Sequence, residues 1–152
     1  MSDYWAPSDF KLLNKAKSFE DIGKVALRVQ NRMPIPISQV CGPISTGGKD
    51  SIKKNIKVFE NTIKKLKTQG YIVYNQLPLE ESIVKIKESL GDKFDVLELL
   101  NEVYLPLFKS KKIETLHFIY GWQSSFGSTW EHQTAKKLNI NINYLPHYYL
   151  LT

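Results

Sequence analysis

The chain has 152 residues, of which 42% are hydrophobic and 24% are charged, and its formal net charge is +6. This length predicts one domain with a real core, and no apolar run reaches the roughly 18 residues that a transmembrane helix needs. The first residues lack the pattern of a signal peptide, and the single cysteine, Cys41, excludes an intramolecular disulfide. We therefore expect a cytoplasmic globular protein that has no membrane partner.

Helices and strands are predicted to alternate along the chain. Helices are expected at residues 10–32, 52–66, 79–90, 94–109 and 128–138, and strands at residues 35–40, 71–74, 116–120 and 140–144. Such alternation implies a parallel sheet with right-handed crossovers. The sequence thus predicts a doubly wound α/β domain of four to five strands over residues 34–152. Residues 1–33 are predicted to form an extra N-terminal helical extension.

The helix predicted after the first strand carries most of the excess positive charge. Its apolar residues recur at helical spacing: Ile52, Ile56, Phe59, Ile63 and Leu66. The lysines on or beside it are Lys49, Lys53, Lys54, Lys57, Lys64, Lys65 and Lys67. Because no aromatic residues alternate with these lysines, we interpret them as a solvated face and do not expect a nucleic-acid partner.

A glycine-rich loop joins the first strand to that helix, with the sequence Cys41-Gly42-Pro43-Ile44-Ser45-Thr46-Gly47-Gly48. Backbone N–H groups of such a loop can bind a phosphate, since glycine lets the anion come close. It matches neither a Walker loop nor the dinucleotide fingerprint. A plain tight turn explains the same residues, so the sequence leaves both interpretations open.

The strand predicted at residues 116–120 leads through Gly121-Trp122-Gln123-Ser124-Ser125-Phe126-Gly127 into a helix that bears Glu131. Open α/β sheets bind ligands at such carboxyl ends of strands. Glu131 is predicted to lie in the first helical turn, where the helix dipole would keep it ionised and able to attack a sugar carbon. Ser128 and Glu131 also have the spacing of a capping box, which would give Glu131 a structural role only.

The other chemically versatile residues have ordinary interpretations. His117 and Cys41 are expected to be buried in the core, and the three histidines lack metal-ligand spacing, so no metal is expected. Trp122 can stack on a nucleobase or pack in the core. The C-terminal residues 144–151 are too apolar for a free tail. We expect them to pack on the core or to contact a second subunit.

Three segments in this order resemble the nucleoside 2-deoxyribosyltransferase superfamily. They are the glycine-rich loop, Gly70-Tyr71-Ile72-Val73-Tyr74-Asn75, and Gly121-Trp122-x-x-Ser125-x-Gly127-x-x-x-Glu131. The chain is similar in particular to the 2'-deoxynucleoside 5'-phosphate N-hydrolases and to small uncharacterised relatives. The resemblance implies a flavodoxin-like or Rossmann-like sheet, a homo-oligomer, and no metal or organic cofactor.

The resemblance also assigns roles to individual residues. It makes Glu131 the catalytic nucleophile. The residues that it places at the substrate and its phosphate are Gly42, Ile44, Ser45, Gly47, Gly48, Ser125, Gly127 and Ser128. Candidate contacts to the base or the sugar are Gln39, Asn75, Glu102 and Trp122. A Gly-Ser-Thr-x-Glu segment ending at Glu131 also resembles the Gly-Thr-x-x-Glu of phosphoribohydrolases.

Several positions depart from the family pattern. Gln39 stands where the family has a tyrosine that orients the glutamate, Ser45 replaces a loop arginine, and Glu102 or Asn101 offers the only match to a sugar-binding aspartate. Three functions are therefore expected as alternatives: cleavage or transfer at the N-glycosidic bond of a nucleoside or its 5'-monophosphate, nucleotide binding or sensing without turnover, and a structural module.

Overall fold

The computed structural model describes residues 4–45, 47–49 and 51–151. Its α-helices are α1 (Pro7–Lys15), α2 (Phe19–Asn31), α3 (Ile52–Thr68), α4 (Glu80–Leu90), α5 (Val96–Leu99), α6 (Leu105–Lys109) and α7 (Phe126–Leu138). Its strands are β1 (Ile37–Cys41), β2 (Val73–Tyr74), β3 (Ile113–Phe118) and β4 (Asn141–Tyr144). These strands form one sheet in the order β2-β1-β3-β4, and every neighbouring pair is parallel. The predicted parallel α/β sheet is confirmed, with four strands.

One face of the sheet is covered by α7. Cys41 pairs with Phe118 and Phe118 pairs with Tyr144, so these three side chains point to the same face. The ring of His132, on α7, packs edge-on against Phe118 with 5.2 Å between centroids. The central strands therefore present their carboxyl-terminal residues to α7.

The opposite face is covered by α3. Val40 pairs with His117, and both alternate with the residues that face α7. Tyr71, which follows α3, packs edge-on against His117 with 4.6 Å between the ring centroids. Helices thus lie on both faces, as a doubly wound fold requires. His117 and Cys41 are buried, as predicted.

The chain divides into two compact units, residues 1–34 with 75–110 and residues 35–74 with 111–152. The second unit contains the whole sheet together with α3 and α7, whereas the first contains α1, α2 and α4 to α6. This division differs from the boundary predicted at residue 33, because the helices of residues 75–110 group with the N-terminal helices. Those helices contact α2, and Gln30 donates to the carbonyl of Leu107 (3.0 Å).

The helix predicted at residues 10–32 is two helices. Ser18 is extended and its hydroxyl accepts a hydrogen bond from the Asp21 amide, so it caps α2 and separates it from α1. The helix predicted at residues 94–109 is also irregular. Five residues of π-helix, Leu100–Tyr104, lie between α5 and α6, and Pro106 is in the first turn of α6, where a proline is tolerated.

The C-terminal residues pack partly on α3. Tyr149 is buried, its hydroxyl accepts from the Gln69 amide (2.8 Å), and Lys65 lies over its ring. Tyr144, Tyr148 and Leu151 are more than half exposed. Packing on the core accounts for part of this segment, and the homo-oligomer stays a prediction. Within the described residues, no helix combines the length and hydropathy that a bilayer span requires.

Candidate active site

Helix α7 begins at Phe126, two residues earlier than the sequence predicts. Ser125 is its N-cap, and the Ser125 hydroxyl accepts from the amide of Ser128 at 3.4 Å. No acidic residue lies in the first turn, so Glu131 is in the second turn. The interpretation of Ser128 and Glu131 as a capping box is therefore wrong, because Ser125 already caps the helix.

Glu131 is a buried acid. Its side chain is buried on α7. Burial raises the pKa of Glu131 to about 8, and the Cys41 thiol at the end of β1 opposes that rise only in part. The expected position of Glu131 in the first helical turn is thus wrong. The second turn lies beyond the reach of the dipole, and burial disfavours the charged form of the carboxyl group.

The glycine-rich loop and the loop before α7 meet, both within the second unit. The amide of Gly48 donates to the hydroxyl of Ser124 at 2.8 Å. Gly47 and Gly48 both have positive φ, 70° and 61°, which favours glycine. A Cβ on Gly47 would lie 2.4 Å from the carbonyl oxygen of Ser124. Both glycines are therefore required by the local geometry.

Asn55 organises the glycine-rich loop, a role that the sequence reading missed. Its amide nitrogen donates to the carbonyls of Ile44 (3.0 Å) and Gly47 (3.2 Å), and its oxygen accepts from the amide of Lys49 (3.0 Å). Asn55 is buried on α3 with Val58, Phe59, Thr62, Ile63 and Leu66. The buried stripe thus differs from the predicted one, since Ile52 is 51% exposed. The sequence offered one signal for this role: Asn55 is a polar residue one turn after the N-cap, on the apolar side of the helix.

The two predicted phosphate-binding serines on α7 make local hydrogen bonds. The Ser128 hydroxyl donates to the carbonyl of Trp122 at 2.6 Å, while Ser125 serves as the cap. Backbone N–H groups of the first helical turn, including Gly127, have no intrahelical acceptor in any α-helix. In the other loop, Ile44 is half-buried, Ser45 is exposed and Gly42 is buried against Ile119, whereas Thr46 lies outside the described residues.

An aromatic group adjoins Glu131. The rings of Trp122 and His132 stack with 4.2 Å between centroids, and the Nε2 atom of His132 lies 2.7 Å from the Tyr144 hydroxyl. Tyr144 is 58% exposed, and Trp122 is half-buried. Burial lowers the pKa of His132, with a contribution from the charge of Lys136, so this ring is neutral at pH 7. The His132 ring stacks on Trp122 and forms one hydrogen bond with Tyr144, but it carries no positive charge.

Gln39 shares a sheet face with Cys41, two residues earlier on β1. It is fully buried, and among the described residues neither its amide nitrogen nor its amide oxygen has a hydrogen-bond partner. An unsatisfied buried amide is costly, on the order of 1–3 kcal/mol for each group. Gln39 therefore has one donor nitrogen and one acceptor oxygen available on the face of the sheet that carries Cys41.

The remaining predicted contacts belong to the first unit. The side chain of Asn75 accepts from the Leu77 amide at 3.0 Å, which fixes a turn, and Glu102 is exposed on the π-helical segment. A surface groove of about 460 Å³ also lies in this unit. It is lined by Leu12, Lys15, Ala16, Asp21, Lys24, Val25 and Arg28, none of which is a predicted site residue. Within the described ranges, no three acidic, histidine or cysteine residues form a metal-binding group.

Comparison with known proteins gives one match. A family described as a domain of unknown function, DUF4406, matches residues 39–144, and the chain belongs to this family. No curated protein and no solved structure matches the chain. The matched range begins at Gln39 and includes both loops and Glu131.

Proposed function

We propose that this member of the DUF4406 family cleaves the N-glycosidic bond of a nucleoside or a nucleoside 5'-monophosphate. The observation that carries the proposal is Glu131, a buried carboxyl group on the helix that follows the second of two converging loops. A ligand site is expected there in an open α/β sheet. Because Ser125 caps α7, the burial of Glu131 has no capping role to explain it.

The proposed reaction is a displacement at the anomeric carbon. The ionised carboxylate of Glu131 forms a bond to C1', the bond from C1' to the base nitrogen breaks, and the base leaves with that electron pair and gains a proton. Water, or a second base, then attacks C1' and releases the carboxylate. No metal or organic cofactor takes part in these steps. The resemblance to nucleoside 2-deoxyribosyltransferases supports the same assignment of Glu131.

The direct test of the proposed activity is base release by the wild-type protein. Purines and pyrimidines attached to ribose or deoxyribose would be supplied as nucleosides and as 5'-monophosphates, and free base would be measured by chromatography. A second base added in excess distinguishes transfer from hydrolysis. We expect release from at least one compound, and release from none would refute the proposal.

The pH dependence of kcat/KM follows from the burial of Glu131. Its pKa in the unliganded protein is about 8, so only about one tenth of the molecules carry the ionised nucleophile at pH 7. We expect kcat/KM to rise about tenfold per pH unit between pH 6 and 7.5 and to level off above pH 8. A profile that falls across this range would instead make Glu131 a proton donor.

Gly47 tests the proposed phosphate contact. Changing Gly47 to Val places a side chain against the Ser124 carbonyl and strains a residue at φ 70°. We expect the Kd of the active 5'-monophosphate to rise about tenfold or more, since hydrogen bonds to a charged group contribute about 1.5–3 kcal/mol. The Kd of the matching nucleoside should change much less.

Gly70 provides the matched control for that substitution. It also has positive φ, 97°, but nothing lies within 4 Å of an added Cβ. Changing Gly70 to Val therefore introduces comparable backbone strain away from the loops. Calorimetric titration of both variants with both ligands tests this prediction. If Gly47→Val weakens the binding of nucleotide and nucleoside equally, the loop does not bind the phosphate.

Nucleotide binding without turnover is the second candidate function. The raised pKa of Glu131 favours it, because a neutral carboxyl group is a poor nucleophile but a good hydrogen-bond donor to a sugar. Under this alternative, calorimetry would show binding of a nucleotide from which no base is released at any pH between 6 and 9.

A further inference from the structure

Helix α3 presents an unbalanced positive charge to solvent. It carries six lysines and one glutamate, and Lys53, Lys54, Lys57 and Lys64 are exposed. Lys53 and Lys54 lie in the first helical turn, which contains no acidic residue, although the helix dipole disfavours cations there. Lys53 and Lys57 are one turn apart, so their like charges repel each other. This placement opposes helix stability and favours an anionic partner for the exposed lysines.

The C-terminal segment adjoins the same helix. Residues His147–Leu150 form a short 3₁₀-helix. The ammonium group of Lys49, just before α3, donates to the carbonyl of Leu150 at 3.0 Å. Lys65, near the end of α3, lies over the Tyr149 ring with 5.1 Å between its nitrogen and the ring centroid. These contacts, all within the second unit, hold an aromatic segment beside the lysines.

Two tyrosines of this surface are open to solvent. Tyr148 is 59% exposed, and its ring lies against the Tyr149 ring with 5.0 Å between centroids. Tyr120, which follows β3, is 57% exposed and packs edge-on against His147 with 5.0 Å between centroids. We call Tyr120, His147 and Tyr148 the aromatic strip. Exposed rings that rest on fixed neighbours are suited to stacking against a planar ligand.

The aromatic strip changes the interpretation of the lysines. A nucleic-acid partner was not expected, because no aromatic residues alternate with the lysines along the helix. The structure instead brings the aromatic residues from positions 120 and 147–149, which are remote in sequence. A second copy of the chain is a poor occupant, since it would bring the same lysines and a net charge of +6 to this surface.

We propose that the exposed lysines of α3 and the aromatic strip bind a single-stranded nucleic acid, with phosphates at the lysines and bases stacked on the tyrosines. Base stacking tolerates any sequence, and each phosphate contact releases counterions. Binding is therefore independent of sequence and strongly dependent on salt. A duplex hides the faces of its bases, so it binds more weakly. This inference goes beyond the proposed function and does not depend on it.

The test uses the full chain and a fluorescein-labelled oligothymidine of about twelve nucleotides, with the Kd measured by fluorescence anisotropy. We expect the affinity to fall about 20- to 50-fold when NaCl is raised from about 50 to about 200 mM, which corresponds to about three or four phosphate contacts. Glu131→Gln should bind the oligonucleotide like the wild type, so the result is separate from any release of base.

Tyr148 tests the stacking contact. In Tyr148→Ala we expect the Kd to rise about tenfold, because the ring on which a base stacks is lost. Tyr148→Phe is the matched control, since it keeps the ring and removes only the hydroxyl, and it should bind like the wild type. An unchanged Kd in Tyr148→Ala would overturn the proposal, because the surface would then attract any polyanion without stacking.

Two pairs of lysines test the phosphate contacts. The double variant Lys54→Gln with Lys57→Gln should raise the Kd about tenfold at about 50 mM NaCl and reduce the salt slope by about one. Lys11→Gln with Lys85→Gln removes the same charge from exposed positions of the other unit, and its Kd should stay close to that of the wild type.

Three results would overturn the proposal. The first is a Kd above about 100 μM for the wild type at about 50 mM NaCl. The second is an equal loss of affinity in both lysine pairs, which would show attraction by net charge alone. The third is binding of phosphatidylserine vesicles in place of the oligonucleotide, which would make this surface a site for a lipid membrane.

Discussion

Changing Glu131 to Gln is expected to lower the turnover number at least about a thousandfold while the protein stays folded. The amide cannot form the bond to C1' that the carboxylate forms, and it cannot balance the positive charge that develops on the sugar. The shape of the side chain remains. Ligand binding should therefore change much less than turnover, and base release measured beside calorimetric binding checks both.

Glu80→Gln is the matched control for that substitution. Glu80 is a second glutamate whose pKa is raised by burial, to about 7, and it lies at the start of α4 in the other unit. Its replacement removes a comparable carboxyl group without touching β1 or α7. We expect its turnover to match the wild type. Wild-type turnover in Glu131→Gln would contradict the mechanism.

The stability of the wild type should fall as the pH rises from about 4.5 to 8. The pKa of Glu131 is raised from 4.5 to about 8 by burial, so the native state binds this proton more tightly than the unfolded chain. The resulting stabilisation is complete below pH 4.5 and is lost as the pH rises through 8. Its size is on the order of 5 kcal/mol.

Glu131→Gln should lose this dependence. Gln has no proton to release, although its NH₂ group gains no partner in the buried site, which costs about 1–3 kcal/mol at every pH. We expect the variant to melt below the wild type at pH 5 and at or above it at pH 9. Denaturant titrations at several pH values measure the free energy of unfolding of both proteins. If this free energy depends on pH in the same way in both, Glu131 is ionised in the folded wild type. Glu80 adds a smaller pH dependence of the same sign to both proteins.

Local sequence patterns were sufficient to predict the sheet. The β-branched and aromatic residues of Val73–Tyr74 and Asn141–Tyr144 gave strands close to their predicted positions. The third strand begins at Ile113 and ends at Phe118, whereas residues 116–120 were predicted. Glu114 is exposed within β3, and its charge concealed the start of the strand. Pairing with β1 fixes those bounds, and pairing is not a local property.

The candidate site stays a prediction, and the sequence indicated only part of its geometry. The glycine-rich loop was recognisable, and the structure brings it to the residues before α7. The burial of Glu131 was not predictable, because it depends on residues that are remote in sequence. Two serines three residues apart also offered two possible caps, and only the structure shows that Ser125 is the cap.

The proposed nucleophile is tested most directly by locating the sugar on the protein during turnover. A substrate with fluorine at C2' withdraws electrons from the oxocarbenium-like transition state and slows the release of the glycosyl group, so an intermediate accumulates. After an acid quench and digestion, mass spectrometry identifies the modified peptide. We expect one glycosyl ester, on Glu131, formed together with one equivalent of free base. An adduct on a different residue, or base release in Glu131→Gln at the wild-type rate, would contradict the account.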